Sequence, residues 1–248
     1  MASTIETGHA KNVATFEDVI SFCTGYGVAY NPSKAALKLP ALSTQLTAAS
    51  ATLQAAKVAK TALDNATNSR EIAFKPIKSL STRAVNGLAA TEAAAQTVDD
   101  AKTINMKIQG RRAKTVVQPD AKAVADGAKL IKTASTSQQS FDKMIDHFAQ
   151  LIATLSAEPK YLPNENDLKV TFLNTVLADL KVKNTAVINA TTAFSNARIA
   201  RDKALYAETT GLIDTAQDVK QYVKSLFGAT SPQYKQVSKL RFNRSGKD

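Results

Sequence analysis

Across 248 residues the chain carries 32 Lys plus Arg against 21 Asp plus Glu, a net charge of +11, and a chain of this length builds one large or two small domains with an unaided core. Glycine (9) and proline (7) are scarce and tryptophan is absent, which argues against a Gly-rich nucleotide-binding α/β fold, a collagen-like repeat and a turn-dense β sandwich. The single cysteine, Cys23, and the two histidines, His9 and His147, rule out an intrachain disulfide and a multi-cysteine zinc site, so neither a metal nor another cofactor is expected.

Residues 1–11 read as a flexible N-terminus. They mix Glu6, His9 and Lys11 with Ser and Thr and lack the apolar core of a secretory signal. No later run approaches the ~18 apolar residues of a membrane span, so the expected compartment is the cytoplasm, with non-classical export left open.

A first unit, residues 12–112, opens on a short amphipathic helix at Phe16–Ile20. Tyr30 and Pro32 follow as a loop anchor, and Ser33 stands where a helix N-cap is expected. Leu39, Leu42, Leu46, Ala49, Leu53, Ala56 and Leu63 then recur at alternating spacings of three and four, the mark of an apolar seam on one long helix. Arg70 falls on the same seam. Lys75-Pro76 breaks the helix, and a second helix is expected from Ile77 to Thr97. Ile104-Asn-Met106-Lys-Ile108 alternates apolar and polar residues, which fits either an extended strand or an extended tail packed on helices. Gln118-Pro119-Asp120 and Gly127 mark residues 113–136 as a connector.

The second unit, residues 137–244, repeats the first. At a shift of 131, 14 of the 41 positions from Tyr30 to Arg70 are identical, including Tyr30/Tyr161, Pro32/Pro163, Leu42/Leu173, Asn65/Asn196 and Arg70/Arg201. Upstream, a shift of 125 lays Phe16–Ile20 on Phe141–Ile145, and downstream a shift of 134 lays Lys107-Ile108 on Arg241-Phe242. Asn164 takes the place of Ser33 as expected cap, with Asp167 in the first turn. Val170, Leu173, Leu177, Leu180, Val187 and Phe194 continue the seam, Thr209-Thr210-Gly211 supplies the break, and Leu212–Leu226 the returning helix. Residues 245–248 form a tail. The expected fold is therefore all-α: a tandem duplication of a helical hairpin in an elongated pseudo-twofold four-helix bundle, with two short accessory helices and two extended basic tails, a short strand pair being one form of them. The pattern resembles that of bacterial helical-repeat proteins, a resemblance that implies no activity.

The charge follows the repeat. Residues 1–100 are net +1, 101–136 net +6, 137–214 net −1 and 215–248 net +5, so the excess lies after each hairpin. Lys102, Lys107, Arg111, Arg112 and Lys114, with Lys235, Lys239, Arg241 and Arg244, are the candidate anion contacts, and nucleic acid or another polyanion the candidate partner. Aromatic interleaving is thin, and no nucleic-acid-binding motif accompanies the charge. Arg70 and Arg201 read as structural, needing a carboxylate or helix carbonyls from another helix because Glu71 and Asp202 point to the neighbouring face. Tyr30 with Pro32 and Tyr161 with Pro163 read as loop anchors, His147 as a partly buried or surface side chain, and Cys23 as packed. No phosphate loop, dinucleotide fingerprint, zincin or nucleophile-elbow motif occurs. The expectation is a non-enzymatic scaffold or protein-interaction module that binds a protein partner or itself, without a small-molecule substrate; the alternative is a sequence-independent polyanion binder using segments 101–136 and 215–248.

Overall fold

The computed structural model describes residues 4–110 and 139–244; the connector expected at 113–136, the candidate contacts Arg111, Arg112 and Lys114, and the tail 245–248 lie outside the described residues. The described chain is helical and contains no strand. In order, the helices are α1 (Thr4–Gly25), α2 (Leu39–Phe74), α3 (Ile77–Ala89), α4 (Ala95–Gln109), α5 (Phe141–Ala157), α6 (Val170–Tyr206), α7 (Leu212–Phe227) and α8 (Pro232–Ser238), with 3-10 turns at Gly27–Ala29, Ala35–Leu37 and Asn166–Leu168.

Local chemistry sets several of these ends. Ser140 caps α5 by accepting a bond from the Lys143 amide at 3.3 Å, with Asp142 in the first turn. Ser231 does the same for α8 through the Tyr234 amide at 3.1 Å, and Pro232 sits where a helix has no need of its N–H. The long helices begin later than the caps expected for them. Ser33 and Asn164 precede the two 3-10 turns, and α2 and α6 start only at Leu39 and Val170.

Three other expectations differ from the structure. Residues 104–108 are neither strand nor extended tail but part of α4, where Val98, Ala101 and Ile108 are buried and Ile104 packs beside them. Spacings of three and four make that face, and over so short a run they coincide with alternation. Gly110, at φ 74°, ends the helix in the left-handed conformation that glycine adopts without strain. The helix expected to run to Thr97 stops at Ala89, because Thr91 closes it: its hydroxyl donates to the Leu88 carbonyl at 2.7 Å and accepts from the Ala93 amide at 3.2 Å. Finally, α1 begins at Thr4, inside the stretch read as flexible, and both α1 and α5 are full helices rather than short ones. Their buried side chains align at a shift of 132, not 125: Val13, Phe16, Val19 and Cys23 match Ile145, Phe148, Leu151 and Leu155.

The chain divides into two compact units, residues 1–64 with 189–248 and residues 65–188, rather than at the connector between the repeats. The first unit builds its core from α1, the start of α2, the end of α6, and α7 and α8: Phe16, Cys23, Leu42, Leu205, Leu212 and Val219 are all sealed from solvent. The second builds its own from the end of α2, α3, α4, α5 and the start of α6, with Ile77, Leu88, Ile108, Phe148, Leu151 and Leu173. Each core therefore draws on both sequence halves. The break after α6 needs a glycine for space: a Cβ on Gly211 would lie 2.6 Å from the backbone N and O of Ala207, whose carbonyl accepts the Gly211 N–H at 2.8 Å.

Candidate functional site

Two loops stand in the same relation to their helices in the two units. Tyr30, buried, donates its hydroxyl to the Leu37 carbonyl at 2.8 Å; Tyr161, equally buried, donates to the Leu168 carbonyl at 2.9 Å. Each ring thus closes the loop that carries Pro32 or Pro163 onto the 3-10 turn before the long helix. Tyr30 also meets Tyr222 edge-on, centroids 5.3 Å apart, and beside it burial pushes the Cys23 thiol up to about 11, with the Tyr30 hydroxyl pulling the other way. A thiol so protonated is no nucleophile at neutral pH.

A depression of about 480 Å³ beside the second loop is lined by Leu155, Tyr161, Leu162 and Pro163, with Glu158 and Lys169 as its charges. One of about 310 Å³ in the first unit is lined by Phe22, Tyr26, Pro232 and Gln236. The first lining holds no carboxylate or imidazole, and in the second the Glu158 carboxylate accepts the Lys160 N–H at 3.2 Å. Among the described residues no three His, Cys, Asp or Glu side chains come together as a metal site.

The two seam arginines are held in different ways. Arg70 stacks its guanidinium 3.9 Å from the centre of the Phe141 ring and donates to Asn184 Oδ1 at 3.1 Å; Asn184 in turn donates to Asp142 Oδ1 at 2.7 Å. Its partners thus come from elements other than its own helix. Arg201 is 2% exposed, and its Nε and Nη2 both lie 2.9 Å from Asp202 Oδ1. That corrects the expectation that Asp202 faces away: the guanidinium folds along its own helix to meet the adjacent carboxylate.

His147 is 5% exposed rather than at the surface. Burial holds its pKa below the ordinary imidazole value, Lys107 and Lys143 lower it further, and Asp146 and the Gln150 side chain partly oppose the shift. His9 is buried as well, with Nδ1 2.6 Å from the Tyr206 hydroxyl.

The candidate anion contacts separate into engaged and open cations. Lys102 pairs with Asp99 at 3.1 Å, and Arg244 pairs with Asp214. Lys107, Lys235, Lys239 and Arg241 are exposed. Residues 240–244, outside any helix, form a strap over the first unit, with Leu240 and Phe242 packed against its core. Two residues that composition and charge did not single out hold it there. Lys220 donates to the Leu240 carbonyl at 2.6 Å with its ammonium 5.1 Å from the centre of the Phe242 ring, and burial, then Arg241, lower its pKa. Asn12, fully buried on α1, donates to the Asn243 carbonyl at 2.7 Å and accepts the Asn243 N–H at 2.9 Å, pairing with the strap as a β-strand would. The signal for Asn12 was its spacing: it stands four residues before Phe16, on the stripe that continues through Val19 and Cys23. No family model, curated protein or solved structure matches this chain.

Proposed function

We propose that the chain is a non-enzymatic helical scaffold or protein-interaction module, arisen by tandem duplication of a helical hairpin into a pseudo-twofold four-helix bundle, and that it associates with itself. The paired tyrosine loops and the matching burial of α1 and α5 support the duplication. The observation that carries the function is the exposure of large apolar side chains along the two long helices: Val58 and Ile72 on α2, Val182 and Ile199 on α6 are each more than half exposed. Removing such apolar side chains from water is favourable, and a second copy of the chain would supply the covering surface. Size-exclusion chromatography with light scattering tests this. Self-association is expected for the parent chain and its loss in Val58→Lys/Ile199→Lys with the helical circular dichroism unchanged; a parent that is strictly monomeric at high concentration overturns it.

A second reading, sequence-independent binding of a polyanion, rests on the cations around the strap. Lys239 and Arg241 are exposed, and the charge that lowers the pKa of the Lys220 ammonium is Arg241. Retention on heparin should fall steeply with salt and weaken when Arg111, Arg112, Arg241 and Arg244 are replaced by Ala; unchanged retention removes this reading.

A further inference from the structure

One end of the first unit presents apolar side chains to water on a base of aromatic rings. The loop after α1 is pinned to its neighbours on both sides of Val28. Before it, Tyr26 meets Phe227 edge-on, centroids 5.2 Å apart, and donates its hydroxyl to the Gln233 carbonyl at 3.0 Å. After it, Tyr30 meets Tyr222, whose hydroxyl accepts the Asn31 N–H at 3.3 Å. Gly27, at φ 59°, supplies a left-handed turn that a side chain would strain. Between these anchors Val28 is fully exposed, and Leu226, one turn beyond Tyr222 on α7, is 38% exposed.

The charge around this end has one sign. Residues 19–33 carry none, and residues 221–235 carry only Lys224 and Lys235. The two carboxylates of α7 are both engaged, Asp218 with Lys34 at 2.5 Å and Asp214 with Arg244. Lys220, Lys224, Lys235, Lys239 and Arg241 are left without a carboxylate among the described residues, and the Lys224 ammonium lies 5.8 Å from the centre of the Tyr234 ring. The equivalent loop of the second unit differs. Its exposed Leu162, one residue past Tyr161, stands between Glu158 and Glu165 in sequence, and Lys160 is paired with Glu92 at 3.5 Å.

Protruding apolar side chains, rings at their base and lysines without carboxylates together fit the surface of an anionic phospholipid bilayer. The acyl boundary takes the apolar groups, aromatic rings lie at headgroup level, and ammonium groups meet the phosphates. No helix among the described residues is long and apolar enough to cross a membrane, so the attachment is peripheral. We propose that the Val28 loop and the end of α7 dock the first unit on an anionic phospholipid surface, with Val28 and Leu226 entering the acyl boundary and Lys224 and Lys235 contacting headgroups. This docking is independent of self-association and shares only its cations with the polyanion reading.

The chain has no tryptophan, which makes Val28→Trp a single-site reporter at a position whose side chain supports nothing. The full chain carrying it is mixed with vesicles of phosphatidylcholine alone, or of phosphatidylcholine and phosphatidylserine in a roughly three-to-one ratio. On the mixed vesicles its emission should shift to the blue and be quenched by brominated acyl chains; Leu162→Trp should show neither effect. In flotation the parent chain should bind the mixed vesicles, and its partition should fall about tenfold in Val28→Ser/Leu226→Ser and comparably in Lys224→Glu/Lys235→Glu, with helical circular dichroism unchanged. Whatever retention the parent shows on heparin should survive in the serine variant. An unshifted Val28→Trp, equal binding to neutral vesicles, or flotation indifferent to the serine variant overturns the proposal. A parent retained on heparin that ignores vesicles overturns it while leaving the polyanion reading standing; failure of both assays removes both.

Discussion

Replacing Tyr30 or Tyr161 by Phe removes one oxygen and leaves the ring in place. The hydroxyls of both donate to carbonyls, of Leu37 at 2.8 Å and Leu168 at 2.9 Å, in positions shielded from water. The variant therefore strands a carbonyl without admitting solvent to it, which costs about 1–2 kcal/mol per site. For a chain of this size each kcal/mol moves the melting midpoint by about 2–4 °C. Because the tyrosines lie in different cores, the double variant should lose the sum, about 2–4 kcal/mol. Urea unfolding followed by circular dichroism measures all three. Thr175→Ala serves as the control, since its hydroxyl bonds an exposed carbonyl of its own helix, and should change stability by less than about 0.5 kcal/mol. Losses below that figure at both tyrosines, or losses differing several-fold between them, would refute the equivalence of the two loops.

Stability should also depend on His147. Its folded pKa is lowered, so the neutral ring is favoured in the folded state and the unfolded state binds the proton more readily. The stability is fully present above the unfolded value near 6.5 and is lost as pH falls below it, at up to about 1.4 kcal/mol per pH unit until the folded value is reached; urea midpoints between pH 7.5 and 5 should show this slope, and His147→Leu should flatten it. Asn12→Ala removes both bonds to the Asn243 backbone, about 2–3 kcal/mol of local stability, and should speed tryptic cleavage at Arg241 with little change in helix content. Gly211→Ala should destabilise by about 2 kcal/mol through the backbone clash described above, whereas Gly8→Ala, inside α1 with open space around it, should stabilise by about 0.5–1 kcal/mol in thermal melts.

The long helices were legible because a leucine seam sustained over many turns has no reading other than a helix, and Pro76 and Gly211 are strong local breaks. The boundary after α3 was not, since Ala89-Ala90-Thr91 contains no breaker and the helix is ended by the Thr91 hydroxyl, a contact rather than a propensity. The Phe-Asp/Glu pairing that set α1 on α5 two turns out of place relied on residue identity, where burial follows Phe16 and Phe148. Periodicity also says which face of a helix is apolar but not what covers it. That α1 shares its core with α7, and α3 and α4 with α5, is a choice among partners of equal hydrophobicity, settled by shape. The strap was hidden for a similar reason: Asn12 and Lys220 act through the backbone of residues far away in sequence, and composition registers them only as one amide and one more positive charge.

Interleaving of the halves imposes an order on synthesis. The second unit has all its elements once the first turns of α6 have been made, so it closes while the chain is still growing. The first unit waits: Phe16 and Cys23 share their core with Val219 and Val223, about 200 residues later, which at roughly 5–20 residues per second is a delay on the order of 10–40 s. Throughout that interval α1 keeps an uncovered apolar stripe. A ribosome that stops after α6 leaves a chain with one finished unit and one open one, and the open one is the end that emerged first.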